Sequence, residues 1–221
     1  FLSQLKRRLI YKFKKKISID SDNIQLDTLD ELLHFYGSDK ANVFIKDKQK
    51  GHGYSIFYED KLKKIKNKKI NILEIGSYAG ASAAAFAKYL PSSNVFCFDV
   101  NISNFKYRSK KIKVFDVDIK KENKIKKILD QIYKKYKIKE FDIIIDDGSH
   151  NLSDILIGIK FFLKLVKKNG LYIIEDFKYP NYHQYNRNIN HIFIDEFLKN
   201  LLDKKVSVSD ILSENEQTSI M

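Results

Sequence analysis

Apolar residues fall into short continuous runs separated by amphipathic stretches, and that alternation predicts the elements. Ile70, Ile72, Leu73 and Ile75 surround Glu74 in a run over 69–75. Runs at 94–98, 113–117 (the weakest), 141–146 and 171–175 repeat the pattern. Apolar runs with little polar alternation read as strands buried on both faces. A small-residue helix opens at Ala81 and closes at Pro91 and the Ser92-Ser93 pair. Further helices are expected over 122–136, where Ile125, Ile128, Leu129 and Ile132 share a face, at about 153–168, and over 190–203. Strand and helix alternating at this rhythm predict right-handed βαβ units. The expected fold class is α/β: a Rossmann-like, doubly wound, mostly parallel sheet with helices on both faces.

Ahead of this region, Leu2, Leu5, Leu9, Phe13 and Ile17 fall close to one face of a helix over 1–17. Residues 26–35 form a second amphipathic helix with Asp27 as its N-cap. Residues 1–66 thus read as a helical N-terminal extension with substrate or lid loops, and 67–221 as the main domain. Val206, Val208, Ile211 and Leu212 suit the start of a further strand. The chain starts at Phe1 and leaves little room for a closing hairpin, so residues are expected to be missing at one or both ends.

Charge changes the picture only at the margins. The net charge of +13 is nearly all lysine, with four arginines. Nucleic-acid readers lean on arginine for bidentate contacts, and these lysines scatter over exposed helix faces. A nucleic-acid methyltransferase or binder is therefore the disfavoured alternative. The single cysteine, Cys97, sits in an apolar run; it excludes a disulfide framework and is expected to be inert. No apolar run approaches the roughly 20 residues that span a bilayer, and no cleavable signal is evident, which suits a cytoplasmic protein. Residues 1–17 either lie on an anionic membrane face or pack on their own domain or on a second subunit of a homo-oligomer.

The candidate chemistry gathers at strand ends. In open α/β sheets, ligands bind at the carboxyl edge. The first strand ends in Gly76-Ser77-Tyr78-Ala79-Gly80. A dinucleotide fingerprint needs glycine where Tyr78 stands, so a pyrophosphate is disfavoured and with it an NAD-dependent oxidoreductase. Asp99, ending the second strand, suits the two hydroxyls of a ribose. Together these features fit a nucleoside without pyrophosphate, S-adenosylmethionine. Gly76, Ser77 and Gly80 line its turn, and Asp118 (or neighbouring Asp116) is the candidate for the adenine amino group. Two other strands end in Asp146-Asp147 and Glu175-Asp176. Asp146 is placed toward the cofactor. Asp147, Glu175 and Asp176 offer the oxygen ligands that Mg²⁺ prefers, with lysine neutralisation as the alternative. His150 is the candidate general base, with His52 and His183 as weaker alternatives. Gly37-Ser38-Asp39-Lys40 and Gly51-His52-Gly53-Tyr54 read as a lid or substrate loop.

The run Leu73–Ser82 resembles the first motif of class I S-adenosylmethionine-dependent methyltransferases, without its middle glycine. Gly37–Lys40, His52-x-Tyr54, Asp146–His150 and Ile174–Asp176 more narrowly resemble the metal-dependent sugar O-methyltransferases of the mycinamicin type, over roughly residues 32–178. The resemblance implies that Glu74, Gly76, Ser82 and Asp99 contact the cofactor. It also implies that Asp147, Glu175 and Asp176 hold Mg²⁺ against two vicinal oxygens while His150 removes the hydroxyl proton. The expected activity is O-methylation of a sugar or other vicinal diol, in glycan or natural-product biosynthesis, with a small molecule or glycan as the acceptor.

Overall fold

The computed structural model describes residues 2–21, 23–44, 49–178 and 182–203. The strand expected after Val206 lies outside them. The chain divides into two compact units, one ending at Asp116 and one starting at Val117.

The first unit runs α1 (Leu2–Phe13), β1 (Ile17–Ser18), α2 (Leu29–Tyr36), β2 (Val43–Phe44), β3 (Gln49–Lys50), α3 (Ser55–Leu62), β4 (Asn71–Ile75), α4 (Ala81–Tyr89), β5 (Asn94–Asp99), β6 (Tyr107–Arg108) and β7 (Ile112–Asp116). β5 lies between β4 and β7 and is parallel to both. The register brings Asp99 opposite Asp116, so two acids finish neighbouring strands at one level. Ile72, Leu73, Phe96 and Phe98 are wholly buried, as expected for strands covered on both faces. α4 adds Ala83, Ala84, Ala85 and Ala87, also wholly buried; their small side chains allow α2 to pack on α4. Cys97 is buried and free, and burial pushes its thiol pKa well up, which makes it a poor nucleophile.

The cap of α2 differs from expectation. Thr28, not Asp27, accepts from the Glu31 N–H, and the Glu31 side chain accepts from the Thr28 N–H. This capping box needs Glu or Gln three residues after the cap; Asp27 has only the shorter Asp30 there. Gly37, at φ 80°, closes the helix. The two glycine stretches that read as a lid or substrate loop are tied to each other. His52 N–H donates to the Asp39 carbonyl at 2.7 Å and Gly51 N–H to that of Asn42 at 2.9 Å. A Cβ on Gly51 would stand 1.8 Å from the Ala41 carbonyl oxygen, so only glycine permits this approach.

The second unit runs α5 (Glu122–Tyr136), β8 (Phe141–Asp146), α6 (Leu152–Phe162), β9 (Val166–Ile174), α7 (Tyr182–Asn186) and α8 (Ile194–Leu202). β8 and β9 are parallel, in keeping with the α/β expectation. The helix expected to reach 168 stops at Phe162, and β9 starts at Val166 rather than 171. Val166 pairs with Phe141 across an irregularity between Phe141 and Ile143. Gly170 permits the close approach: a Cβ there would lie 2.8 Å from the Asp142 carbonyl oxygen. The helix expected over 190–203 starts only at Ile194, and α7 precedes it. The Tyr182 hydroxyl accepts from the Ile194 N–H at 3.0 Å, which places the start of α8. Leu152, Ile155, Leu156, Ile159, Tyr182, Ile194 and Phe197 form this unit's helical core. No helix among the described residues is long and apolar enough to cross a membrane.

Candidate functional site

In the first unit the turn after β4 carries the candidate donor-binding residues. Gly76, Tyr78 and Gly80 all have positive φ, at 85°, 41° and 80°. Gly76 and Ser77 N–H groups both donate to the Phe98 carbonyl, folding the turn back onto the end of β5. Asp99 Oδ2 accepts from the Tyr78 N–H at 2.7 Å, and Oδ1 from the Asn101 N–H at 2.6 Å. A carboxylate has about four lone-pair sites, so Asp99 is oriented by two donors and keeps capacity for a ligand's hydroxyls. Glu74 is wholly buried and accepts from Ser82 Oγ at 2.5 Å; the Ser77 hydroxyl donates to the Glu74 carbonyl at 3.1 Å.

Gly80 opens α4 under Phe105. A Cβ there would stand 2.4 Å from the nearest ring carbon, and the ring is wholly buried. Gly80→Ala is expected to lower stability by about 1–3 kcal/mol, from overpacking and left-handed backbone cost. Urea unfolding checks this; an unchanged midpoint would show that the turn relaxes without cost.

Asp116 is already engaged. It is 6% exposed, and its carboxylate receives Arg8 Nε at 2.7 Å and Gln4 Nε2 at 3.0 Å. In the second unit, Asp118 shapes its own turn by accepting from the Lys120 N–H at 3.1 Å.

The acid rim also lies in the second unit. β8 ends at Asp146, and the chain turns through Gly148 and Ser149 to His150, which sits at φ 59°. β9 ends at Ile174; the Glu175 N–H donates to the Asp146 carbonyl at 2.9 Å, extending the ladder by one step. Asp176 then turns away at φ 51°. Left-handed backbone costs a residue with a Cβ roughly 1–2 kcal/mol, and such strain gathers at functional sites. Asp147, His150 and Asp176 converge, each offering a ligand atom within 4.8 Å of the others'. Two carboxylates and an imidazole at that spacing form a donor set that a divalent cation can use. His150 Nε2 is 3.9 Å from Asp147 Oδ1, too far for a hydrogen bond, so that nitrogen is not occupied by Asp147. Glu175 is 5% exposed and is not one of the converging group. His183 stands apart, near Asp195.

Three residues without a motif of their own, Asp154, Lys120 and Asn186, support this loop. The Ser149 hydroxyl donates to Asp154 Oδ2 at 2.5 Å, and Lys120 Nζ approaches Asp154 Oδ1 at 3.2 Å. Asn186 Oδ1 accepts from the Leu152 N–H at 3.2 Å. The Ser149-to-Asp154 interval was the only available signal, an acid in the first turn of a helix within reach of a preceding serine.

Asp146 is itself unusual. It is 3% exposed, and burial, with the charge of Asp147 adding to it, raises its pKa to about 7 against a Gly148 backbone hydrogen bond. Its Oδ2 and the Tyr172 hydroxyl meet over Gly158, where a Cβ would lie 2.6 and 3.2 Å from them. The two groups interact electrostatically, but neither oxygen has a well-formed hydrogen bond among the described residues.

A family model described as O-methyltransferase matches residues 57–211, well over half of the chain. The chain belongs to the O-methyltransferase family. This family member is 24% identical over 136 residues to the mycinamicin VI 2''-O-methyltransferase of Micromonospora griseorubida, a match covering 57% of this chain and 31% of that protein. Its fold is similar to that of MycE methyltransferase from the mycinamycin pathway, solved with Mg and SAH, at TM-score 0.62 and 23% identity over 81% of this chain and 48% of that one. A MycE structure that also holds mycinamycin VI gives TM-score 0.61 at 23% identity. The chain thus spans about half the length of the solved relatives and about a third of the curated one. At this identity the likeness shows the fold, and it agrees with the Rossmann-like α/β architecture expected from the sequence.

Proposed function

We propose that this O-methyltransferase family member transfers a methyl group from S-adenosylmethionine to a hydroxyl of a sugar or other vicinal diol, with a divalent cation, Mg²⁺, at the acid rim. The observation that carries this reading is the convergence of Asp147, His150 and Asp176 within 4.8 Å, on turns that hold His150 and Asp176 in left-handed backbone. The relatives solved with Mg and SAH support the same pair of ligands.

The residues present suit both groups. Gly76 and Gly80 keep the donor turn close to the backbone, and Asp99 is held by two N–H donors with lone pairs to spare. Asp147 and Asp176 supply hard oxygen donors; Glu175, outside that converging group and 5% exposed, is the further proposed ligand and would have to turn toward the ion. When bound, S-adenosylmethionine supplies an electrophilic methyl group and the cation lowers the pKa of the acceptor hydroxyl. His150 Nε2 accepts the hydroxyl proton. Ser149, Asp154 and Lys120 fix the loop that carries His150, so the imidazole is positioned before the acceptor arrives. Glu74 and Ser82 brace the donor turn from below. Ser77 shapes it, and Asp118 and Asp146 are proposed to border the donor.

The test is methyl transfer from labelled S-adenosylmethionine to a panel of nucleotide sugars and glycans, with and without EDTA. Transfer is expected to cease in EDTA and return with Mg²⁺; full activity in EDTA would remove the cation from the reading. Binding of Mn²⁺, followed by electron paramagnetic resonance, is expected to weaken about tenfold or more in Asp147→Asn and Asp176→Asn.

A further inference from the structure

α1 is packed the wrong way round for a surface helix, which ordinarily turns its apolar stripe to the core. Its half-buried residues are Gln4, Arg7 and Tyr11, followed by Lys14 just past its end. Gln4 donates to Asp116, Arg7 to the Val100 carbonyl at 3.3 Å, and Lys14 to the carbonyls of Ser103 and Asn104 at 3.0 and 3.2 Å. The apolar stripe faces water: Leu2, Leu5, Leu9 and Phe13 are 80%, 46%, 48% and 77% exposed. No residue of the helix is buried.

We propose that this stripe docks on an anionic lipid surface. Charge selects that occupant. The 3.6-residue period places Lys6 on one border of the stripe and Lys12 on the other, and no acidic residue occurs before Asp20. Lysine stems lie along apolar surface while their ammonium groups reach phosphate headgroups. The net charge of +13 adds attraction to an anionic leaflet. A nucleic acid would match the lysines but would leave the stripe in water.

The docked face also has a position. Asp116 ends β7 and Val100 follows Asp99 at the end of β5, so α1 sits on the strand-end edge of the first unit. Lipid binding would hold that edge about one helix diameter, ~10 Å, from the surface. The inference rests on α1 alone and does not depend on the methyl-transfer reading.

The test uses the full chain and phosphatidylcholine vesicles with and without phosphatidylglycerol. Cosedimentation is expected only with the anionic vesicles. The exposed-face variant Leu5→Glu/Leu9→Glu/Phe13→Glu is expected to lose on the order of 100-fold in partitioning, with only a small change in thermal midpoint because Phe13 is 77% exposed and Leu5 and Leu9 about half exposed. Lys6→Glu/Lys12→Glu is expected to lose about tenfold or more. The chain has no tryptophan, so Phe13→Trp reports directly: its emission should shift to the blue with anionic vesicles. Three results would each overturn the proposal: no preference for anionic vesicles, equal binding by the exposed-face variant, or a Phe13→Trp spectrum that does not move. Light scattering that shows a dimer in place of vesicle binding, dispersed by the exposed-face variant, would assign the stripe to a second copy of the chain instead.

Discussion

Replacing His150 by Gly is expected to lower kcat by about 10²- to 10⁴-fold, the usual worth of a positioned general base. Glycine is the informative substitution because His150 sits at φ 59°, a conformation glycine adopts without strain. Lost activity then reports the missing imidazole and not a displaced loop. The vacated space should admit free imidazole, and part of the lost turnover should return when it is added. The same variant separates two roles for the side chain. His150 lies among the three groups that converge within 4.8 Å, so it could in principle ligate the cation. A base leaves Mn²⁺ affinity nearly unchanged while turnover collapses. A ligand loses affinity and turnover together. Thermal stabilisation by S-adenosylhomocysteine should survive in either case, since Asp99 and the glycine turn are untouched. Retention of more than about a tenth of wild-type kcat would remove His150 from the chemistry.

Much of this site was legible because apolar runs that stop abruptly in acids have one place to stop in an α/β fold. Asp146, Asp147 and Asp176 stand where those runs end, and His150 follows at a short fixed interval. What remained illegible depended on contacts distant in sequence. The stripe of Leu2, Leu5, Leu9 and Phe13 could be read as one helix face, but not that the opposite, polar face would be the docked one. That outcome requires Asp116, more than 100 residues away, to receive Gln4 and Arg8. Asp116 and Asp118 looked equivalent in sequence, and the same contact separates them. Thr28 outcompetes Asp27 as a cap through a local rule, the Glu31 three residues on, so that boundary is readable in the sequence. The early start of β9 was not readable: Val166-Lys167-Lys168-Asn169-Gly170 lacks an apolar run, and pairing with β8 overrides the local pattern.

In EDTA, the stability of the folded chain is expected to contain a contribution from Asp146 that falls as pH rises from about 4 to about 7. The sign follows from which state holds the proton. Burial raises the folded pKa to about 7 from the ordinary 3.8, so within that window the folded chain keeps a proton that the unfolded chain has released. Stability then declines with pH, by about 1.4 kcal/mol per unit, or about 4 kcal/mol across the window. Below the window both states are protonated and above it both are ionised, so the contribution levels off at each end. The groups that set the shift are the surrounding protein and the charges of Asp147 and Asp154, opposed by the Gly148 N–H and Tyr172. Asp146→Asn keeps the shape but cannot ionise. It should lack this slope and, at pH 8, should exceed wild type in stability by up to a few kcal/mol. Chelation matters because a cation at Asp147 would favour the Asp146 anion and flatten the curve. Urea unfolding of both proteins at half-unit intervals isolates the difference from every other titrating group. Parallel curves for wild type and Asp146→Asn would mean that water reaches this carboxylate and that the strand end is less enclosed than its 3% exposure implies.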